Sequence, residues 1–173
     1  MKTLILGGVR SGKSRLAEQL ASGSDLPVSY IATATADDAE MQRRIEGHRQ
    51  SRPDSWDVVE EPVRLAAVMS AQAEPGRCVL VDCLTLWLTN LLVAADEDLF
   101  KREREALLLT LTSLSGQIVM VSNETNMGIM PIGDLSRRYC DEAGRLHQDL
   151  AQACDRVVLM VAGLPHVLKG DVI

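Results

Sequence analysis

Short, solid apolar runs alternate along this chain with longer stretches of helical period. The runs predict strands at Thr3–Leu6, Val28–Ile31, Asp57–Glu60, Cys78–Asp82, Gln117–Ser122 and Arg156–Val161, with a last short strand near Val167–Lys169. Runs such as Cys78-Val79-Leu80-Val81 and Ile118-Val119-Met120-Val121 carry no polar alternation, which suits strands buried on both faces of a parallel sheet. Helical patterns fall between them, at Lys13–Ser22, Asp37–Arg49, Pro62–Gln72, Leu84–Ala94, Glu97–Leu114 and Ile132–Ala153. Asp37 and Asp38 suit a helix start, where the dipole favours negative charge, and Pro62 suits a first turn. Lys101 to Glu105 form what reads as a solvated helix face, and Gly144 marks a possible break in the longest helix. Strand–helix alternation predicts an α/β fold, a mostly parallel sheet with helices on both faces.

The length of 173 residues fits a single domain over residues 1–173, and 46% hydrophobic residues are ample for its core. Aromatic residues are only 3%, so that core must be aliphatic. A net charge of −6 with no basic run argues against nucleic-acid binding. A highly charged ligand must therefore be held by local groups. No apolar stretch reaches the length of a membrane span. The apolar run after Met1-Lys2-Thr3 is too short for a signal sequence. Cys78, Cys83, Cys140 and Cys154 show no metal-ligand spacing and read as small hydrophobes. The expectation is a reduced, cytoplasmic protein.

Leu4-Ile5-Leu6 runs into Gly7-Gly8-Val9-Arg10-Ser11-Gly12-Lys13-Ser14, and helix-forming residues follow. This is a phosphate-binding loop in the strand–loop–helix setting it requires. Glycines let backbone N–H groups surround phosphate oxygens, and the helix start adds partial positive charge. Lys13 is placed to reach the β- and γ-phosphates, and the Ser14 hydroxyl to hold Mg²⁺. The chain is expected to bind a nucleoside triphosphate. Val79-Leu80-Val81-Asp82 reads as the acidic element of such a protein, a strand beside the loop strand ending in a carboxylate for Mg²⁺. The alternative for Asp82 is a helix N-cap.

Further stretches are more specific. They are Tyr30-Ile31-Ala32-Thr33-Ala34; a block of Met41, Arg44, Ile45, His48, Arg52, Pro53, Trp56, Glu60 and Pro62; Asp82-Cys83-Leu84-Thr85 with Asn90-Leu91; and Ser122-Asn123-Glu124 with Gly128, Pro131, Arg138, Asp141, Gly144, Arg145 and Gln148. Together with the loop, in this order, they resemble the bifunctional adenosylcobinamide kinase / adenosylcobinamide-phosphate guanylyltransferase family of cobalamin assembly. The resemblance covers nearly the whole chain.

It implies a RecA-like P-loop NTPase fold and two activities. The first phosphorylates the aminopropanol hydroxyl of the corrinoid adenosylcobinamide, with ATP or GTP as donor. The second transfers GMP from GTP to that phosphate, releasing pyrophosphate, through a histidine–GMP intermediate. The family's histidine falls on His48, and the family's trimers imply a homotrimer or other homo-oligomer. Thr33, Ala34 and Thr35 are implied in nucleotide binding, as are Ser51, Arg52, Pro53, Asp54, Glu60 and Asp82. Arg52, Pro53 and Glu60 are expected against the guanylyl group. A carboxylate at Glu60 can accept from guanine N1–H and N2–H₂, which adenine does not offer.

His48 makes chemical sense by itself. Its ordinary pKa near 6.5 leaves neutral imidazole available as a nucleophile at phosphorus. Arg43, Arg44, Arg49 and Arg52 surround it in sequence and can stabilise phosphate charge in the transition state. The plain reading of His48 is an exposed helical histidine. Two positions depart from the family pattern: His147, where relatives usually carry Asn, and Thr125-Asn126, where they usually show Val-Gly. His166 reads as structural or exposed, in the turn Gly163-Leu164-Pro165-His166. Competing readings are a monofunctional P-loop small-molecule kinase, in which His48 is inert, and a non-catalytic regulatory P-loop ATPase.

Overall fold

The computed structural model describes residues 1–35 and 53–172. Seven strands form one sheet: β1 (Lys2–Gly7), β2 (Val28–Ala32), β3 (Asp57–Glu60), β4 (Cys78–Asp82), β5 (Gln117–Asn123), β6 (Arg156–Val161) and β7 (Leu164–Lys169). Their order across the sheet is β3-β2-β4-β5-β1-β6-β7. All neighbours pair in parallel except β6 and β7, which form an antiparallel hairpin. Among the described residues the helices are α1 (Lys13–Ser22), α2 (Leu65–Gln72), α3 (Leu84–Val93), α4 (Glu97–Ser113) and α5 (Asp134–Ala153).

Pleating divides the core between the two faces. Leu4 and Leu6 of β1 point to the face covered by α2–α5, with Trp87, Leu107, Met120 and Leu150. Ile5 points to the other face, where α1 packs with Tyr30, Leu80 and Trp56. The aliphatic core expected from the composition is present, and its strands are buried on both sides as their solid apolar runs require. Trp87 is fully buried and its indole N–H donates to Val63 O at 2.8 Å, which offsets the desolvation of its polar atom.

Several expectations need correction. Pro62 precedes α2 rather than opening it, because the Glu61 carboxylate accepts from Val63 N (2.9 Å) and Arg64 N (2.8 Å) and holds a turn ahead of the helix. Helix α5 runs unbroken through Gly144. A Cβ at Gly144 would lie 3.1 Å from Asn126 Nδ2, which itself donates to Cys140 O. The glycine admits the 125–126 loop against the helix. Glu103 is buried rather than solvated and meets Arg102 at 3.3 Å, while Arg104 pairs with Asp149 of α5. The turn after β6 is made by Ala162 and Gly163 at positive φ, so Leu164–His166 already belong to β7.

Candidate functional site

The parallel strands bring their C-terminal ends to one edge, where ligands of open α/β sheets bind. At the end of β1 the chain turns through Gly7 (φ +151°), Arg10 (φ 55°) and Gly12 (φ 99°) into α1. Ser11 N donates to Gly8 O at 3.2 Å and closes the loop, and Gly163 N donates to Ser11 O at 3.0 Å and pins it from the β6–β7 turn. Gly8, Val9 and Arg10 form its exposed tip, and Ser14 is half-buried in the first turn of α1. Lys13 is buried, with Nζ donating to Gly8 O at 2.6 Å. Burial lowers its pKa, while Cys83 and Asp82 act to raise it. The ammonium thus lies across the loop, under the influence of the acidic strand end.

Asp82 ends β4, but β4 is not beside β1: β5 lies between them. The expected adjacency is corrected, because the next strand in space is set by crossover connections that a sequence of alternating elements leaves open. Asp82 is half-buried, and one of its carboxylate oxygens accepts from Tyr30 Oη at 3.1 Å. The Asp82–Cys83 peptide is cis. Thr33 clamps this corner: its hydroxyl donates to Cys83 O (2.6 Å) and accepts from Cys83 N (2.9 Å), and its N–H reaches Asp82 O at 3.3 Å. Thr33 is completely buried, and its side chain positions the acidic strand end. Ala34 and Thr35 follow on the same edge, half-buried. Asp82 is not the helix N-cap; Cys83 occupies that position.

Strand β5, which lies between β4 and β1, ends in Ser122 and Asn123, and Glu124 follows it. Glu124 N donates to Gly7 O at 2.9 Å, and Asn123 N donates to Thr85 Oγ1 at 2.7 Å. His147 of α5 is buried against this end, with Nε2 2.8 Å from Ser122 Oγ and Nδ1 3.5 Å from Glu124 Oε2. Burial lowers the His147 pKa, partly opposed by Glu124. Asn90 ties α3 to the same edge, donating to Thr33 O (2.9 Å) and Pro62 O (3.0 Å). These tertiary partnerships were invisible in the sequence, although Tyr30, Thr85, Asn90 and Glu124 lie in the stretches that carry the resemblance.

Glu60 lies at the C-terminal end of β3, on the same edge as the loop and four strand steps away, roughly 19 Å. Pro53 and Asp54 are exposed and precede β3, toward the opposite edge of the sheet. Trp56, just after them, is stacked on Tyr30 with ring centroids 6.2 Å apart. His48, Ser51 and Arg52 lie outside the described residues, as does the expected helix Asp37–Arg49. All four cysteines are free thiols. Burial pushes Cys78 and Cys83 up to about 11 and Cys154 to about 12, so these three stay protonated and unreactive at neutral pH.

The residues present fit a magnesium ion bound with phosphates. Mg²⁺ takes oxygen ligands, keeps several waters and needs only one or two from the protein. The Ser14 hydroxyl follows Lys13 at the start of α1, the Asp82 carboxylate acts electrostatically on the Lys13 ammonium, and both are oxygen donors of the right kind. A glycine loop entering a helix, a buried lysine in its hollow, and an acidic strand one position removed define a P-loop NTPase of RecA-like sheet order.

Solved structures agree on that fold. The RadB recombinase superposes with a TM-score of 0.53 at 15% identity, covering 91% of this chain and 72% of that one. An ATPase from a type III secretion system of pathogenic bacteria gives 0.54 at 10% identity, over 91% of this chain and 51% of its own. Within the class, residues 3–168 match the family described as cobinamide kinase / cobinamide phosphate guanyltransferase. The bifunctional adenosylcobalamin biosynthesis protein CobP of Pseudomonas aeruginosa is 61% identical over 171 residues, 99% of either chain. The corresponding CobU of Escherichia coli is 40% identical, covering 98% of this chain and all of the relative. The chain belongs to this family: it is a bifunctional transferase of cobalamin biosynthesis, with cobinamide kinase and cobinamide-phosphate guanylyltransferase activities.

Proposed function

We propose that the P-loop edge carries the kinase step, and that His48 carries GMP in the second step. The observation that supports the first part most strongly is Lys13, buried in the loop's hollow with its ammonium on Gly8 O at 2.6 Å. A bound triphosphate supplies stronger acceptors than a backbone carbonyl. Lys13 then turns to the β- and γ-phosphates, and the loop N–H groups take the remaining oxygens. Ser14 and Asp82 would hold Mg²⁺, which would supply charge neutralisation for the transferring phosphoryl group. The acceptor is the aminopropanol hydroxyl of adenosylcobinamide, and ATP or GTP serves as donor.

In the second step the His48 imidazole attacks the α-phosphorus of GTP and pyrophosphate leaves. The phosphate of adenosylcobinamide phosphate then displaces the histidine, giving adenosylcobinamide-GDP. Arg52 balances phosphate charge, Glu60 reads the guanine edge, and Ser51, Pro53, Asp54, Ala34 and Thr35 complete the nucleotide surroundings. Support for these roles comes from family membership and from the chemistry of a neutral imidazole among guanidinium groups. Intact mass after incubation with GTP and Mg²⁺, without corrinoid, tests the step. We expect a gain of one GMP that is acid-labile, base-stable and missing in His48→Ala. Absence of the adduct in protein shown to bind GTP rejects His48 as the carrier.

The whole chain works as one domain, in a homo-oligomer in the cytoplasm. The oligomer is supported by an exposed apolar stretch: Ile129 is 99% exposed and Ile132 94%, with Met127, Met130, Leu135 and Val93 close in sequence or space. Monomers rarely leave such a cluster in water. Among the described residues no helix is long and apolar enough to cross a membrane. Sedimentation of Ile129→Asp/Ile132→Asp should show a smaller species than the parent chain; an unchanged sedimentation coefficient places the interface elsewhere.

A further inference from the structure

We infer that Glu124 receives the proton of the acceptor hydroxyl in the kinase step, and that His147, which touches no substrate, positions its carboxylate. The inference rests on the kinase reading of the P-loop edge.

Placement singles out Glu124 among the acids that the described residues bring to that edge. Strand β5 is a direct neighbour of β1, and Glu124 N is bonded to the carbonyl of Gly7, the first residue of the loop. Asp82 sits one strand further away, has an oxygen occupied by Tyr30, and is the metal candidate. The Glu124 carboxylate is partly held: Oε1 accepts from Asn126 N at 2.7 Å. Its other oxygen faces His147 Nδ1 at 3.5 Å. The side chain keeps 15% exposure, enough to be met by a substrate at the edge.

His147 is built in as a support. It is 6% exposed and its Nε2 lies 2.8 Å from Ser122 Oγ, itself 2% exposed. A carboxylate can only accept, so the nitrogen facing it must carry the proton, and Nε2 must then accept from the serine hydroxyl. Burial, which disfavours the charged imidazole, agrees with this neutral tautomer. Nδ1 is buried and has no hydrogen-bond partner within ordinary reach. Its 3.5 Å gap to Glu124 exceeds the usual upper limit by roughly 0.3 Å. A buried donor 3.5 Å from a carboxylate is the spacing of a contact that tightens when substrate arrives.

The step balances. The hydroxyl oxygen forms a bond to the terminal phosphorus of the triphosphate, and the bond from that phosphorus to the bridging oxygen breaks. The nucleoside diphosphate leaves, and the hydroxyl proton passes to Glu124. His147 gives up no proton; its N–H steadies the carboxylate on the oxygen turned toward it.

The test is steady-state kinase kinetics of the full chain with adenosylcobinamide, ATP and Mg²⁺. Glu124→Gln should lower kcat about 100-fold or more, the usual reach of a general base. His147→Leu should lower kcat about tenfold, the lower end for a positioning partner. In both, the KM for ATP should stay within about twofold, because neither residue holds nucleotide. The decisive readout is the double variant: His147→Leu should cost nothing further once Glu124→Gln is present, since it acts only through that carboxylate. His147→Asn, which retains an N–H donor, should recover most of the kcat lost in His147→Leu; it also carries the test if the leucine variant fails to fold. Additive losses in the double variant overturn the positioning role. A Glu124→Gln enzyme with near-normal kcat overturns the proton-acceptor role while leaving the kinase reading intact. A parent chain that phosphorylates no adenosylcobinamide overturns both.

Discussion

Replacing Gly7 with alanine tests how the loop is anchored. Gly7 has φ +151°, a conformation that costs a residue with a Cβ about 1–3 kcal/mol. An added Cβ would lie 2.5 Å from Met160 O and 2.7 Å from Ser11 Oγ. The hydroxyl can rotate away, but the carbonyl cannot. Met160 is the register partner of Gly7 across β1 and β6, and Gly7 O accepts from Glu124 N on the other side. Relieving the clash means separating β1 from β6 at the edge, which adds about 1–3 kcal/mol as overpacking does elsewhere. The sum is about 2–6 kcal/mol, a large share of the 5–15 kcal/mol typical of a domain. Thermal unfolding should drop by roughly 2–4 °C per kcal/mol for a chain of this size. Gly8→Ala is the control: a Cβ there meets nothing within 4 Å, so folding stability should change by less than about 1 kcal/mol. Both are measured by urea and thermal denaturation at one fixed protein concentration, since assembly shifts apparent stability. Equal stabilities for Gly7→Ala and Gly8→Ala would refute the reasoning, because only the first meets backbone.

Lys13→Met removes the loop cation while preserving much of its stem. ATP affinity in a fluorescence titration should fall by at least about tenfold and kinase turnover further, whereas the melting temperature should hold or rise, since a buried ammonium is desolvated. His147 gives a pH signature. Its folded pKa lies below the ordinary value near 6.5, so the unfolded chain binds the proton more readily. Its contribution to stability is fully present above that value and is lost as pH falls below it, at up to about 1.4 kcal/mol per pH unit. Melting between pH 7.5 and 5.5 should therefore decline more steeply for the parent chain than for His147→Asn; parallel declines contradict the assignment. Asn90→Ala leaves the carbonyls of Thr33 and Pro62 without their donor, and should cost about 1–3 kcal/mol in urea unfolding.

Local chemistry determined much by itself. Solid apolar runs fixed the strands within a residue or two, because a strand buried on both faces tolerates no polar alternation. The glycine loop was legible because a phosphate cradle needs positive φ and a close backbone approach at particular spacings, and those demands fall on consecutive residues. Family membership could be read for the same reason, since whole blocks such as Ser122-Asn123-Glu124 survive as contiguous text. Tertiary structure decided what lies beside what. It inserted β5 between the loop strand and the strand of Asp82, placing Glu124 rather than Asp82 next to Gly7. It set the Thr33 hydroxyl as a clamp on Cys83, and it buried Glu103 on a helix whose charge pattern suggested water. His147 and Ser122 are 25 residues apart and meet only because α5 crosses the end of β5. Sequence encodes such pairings through packing of the whole core, a sum over many weak and distant contacts that no local pattern displays.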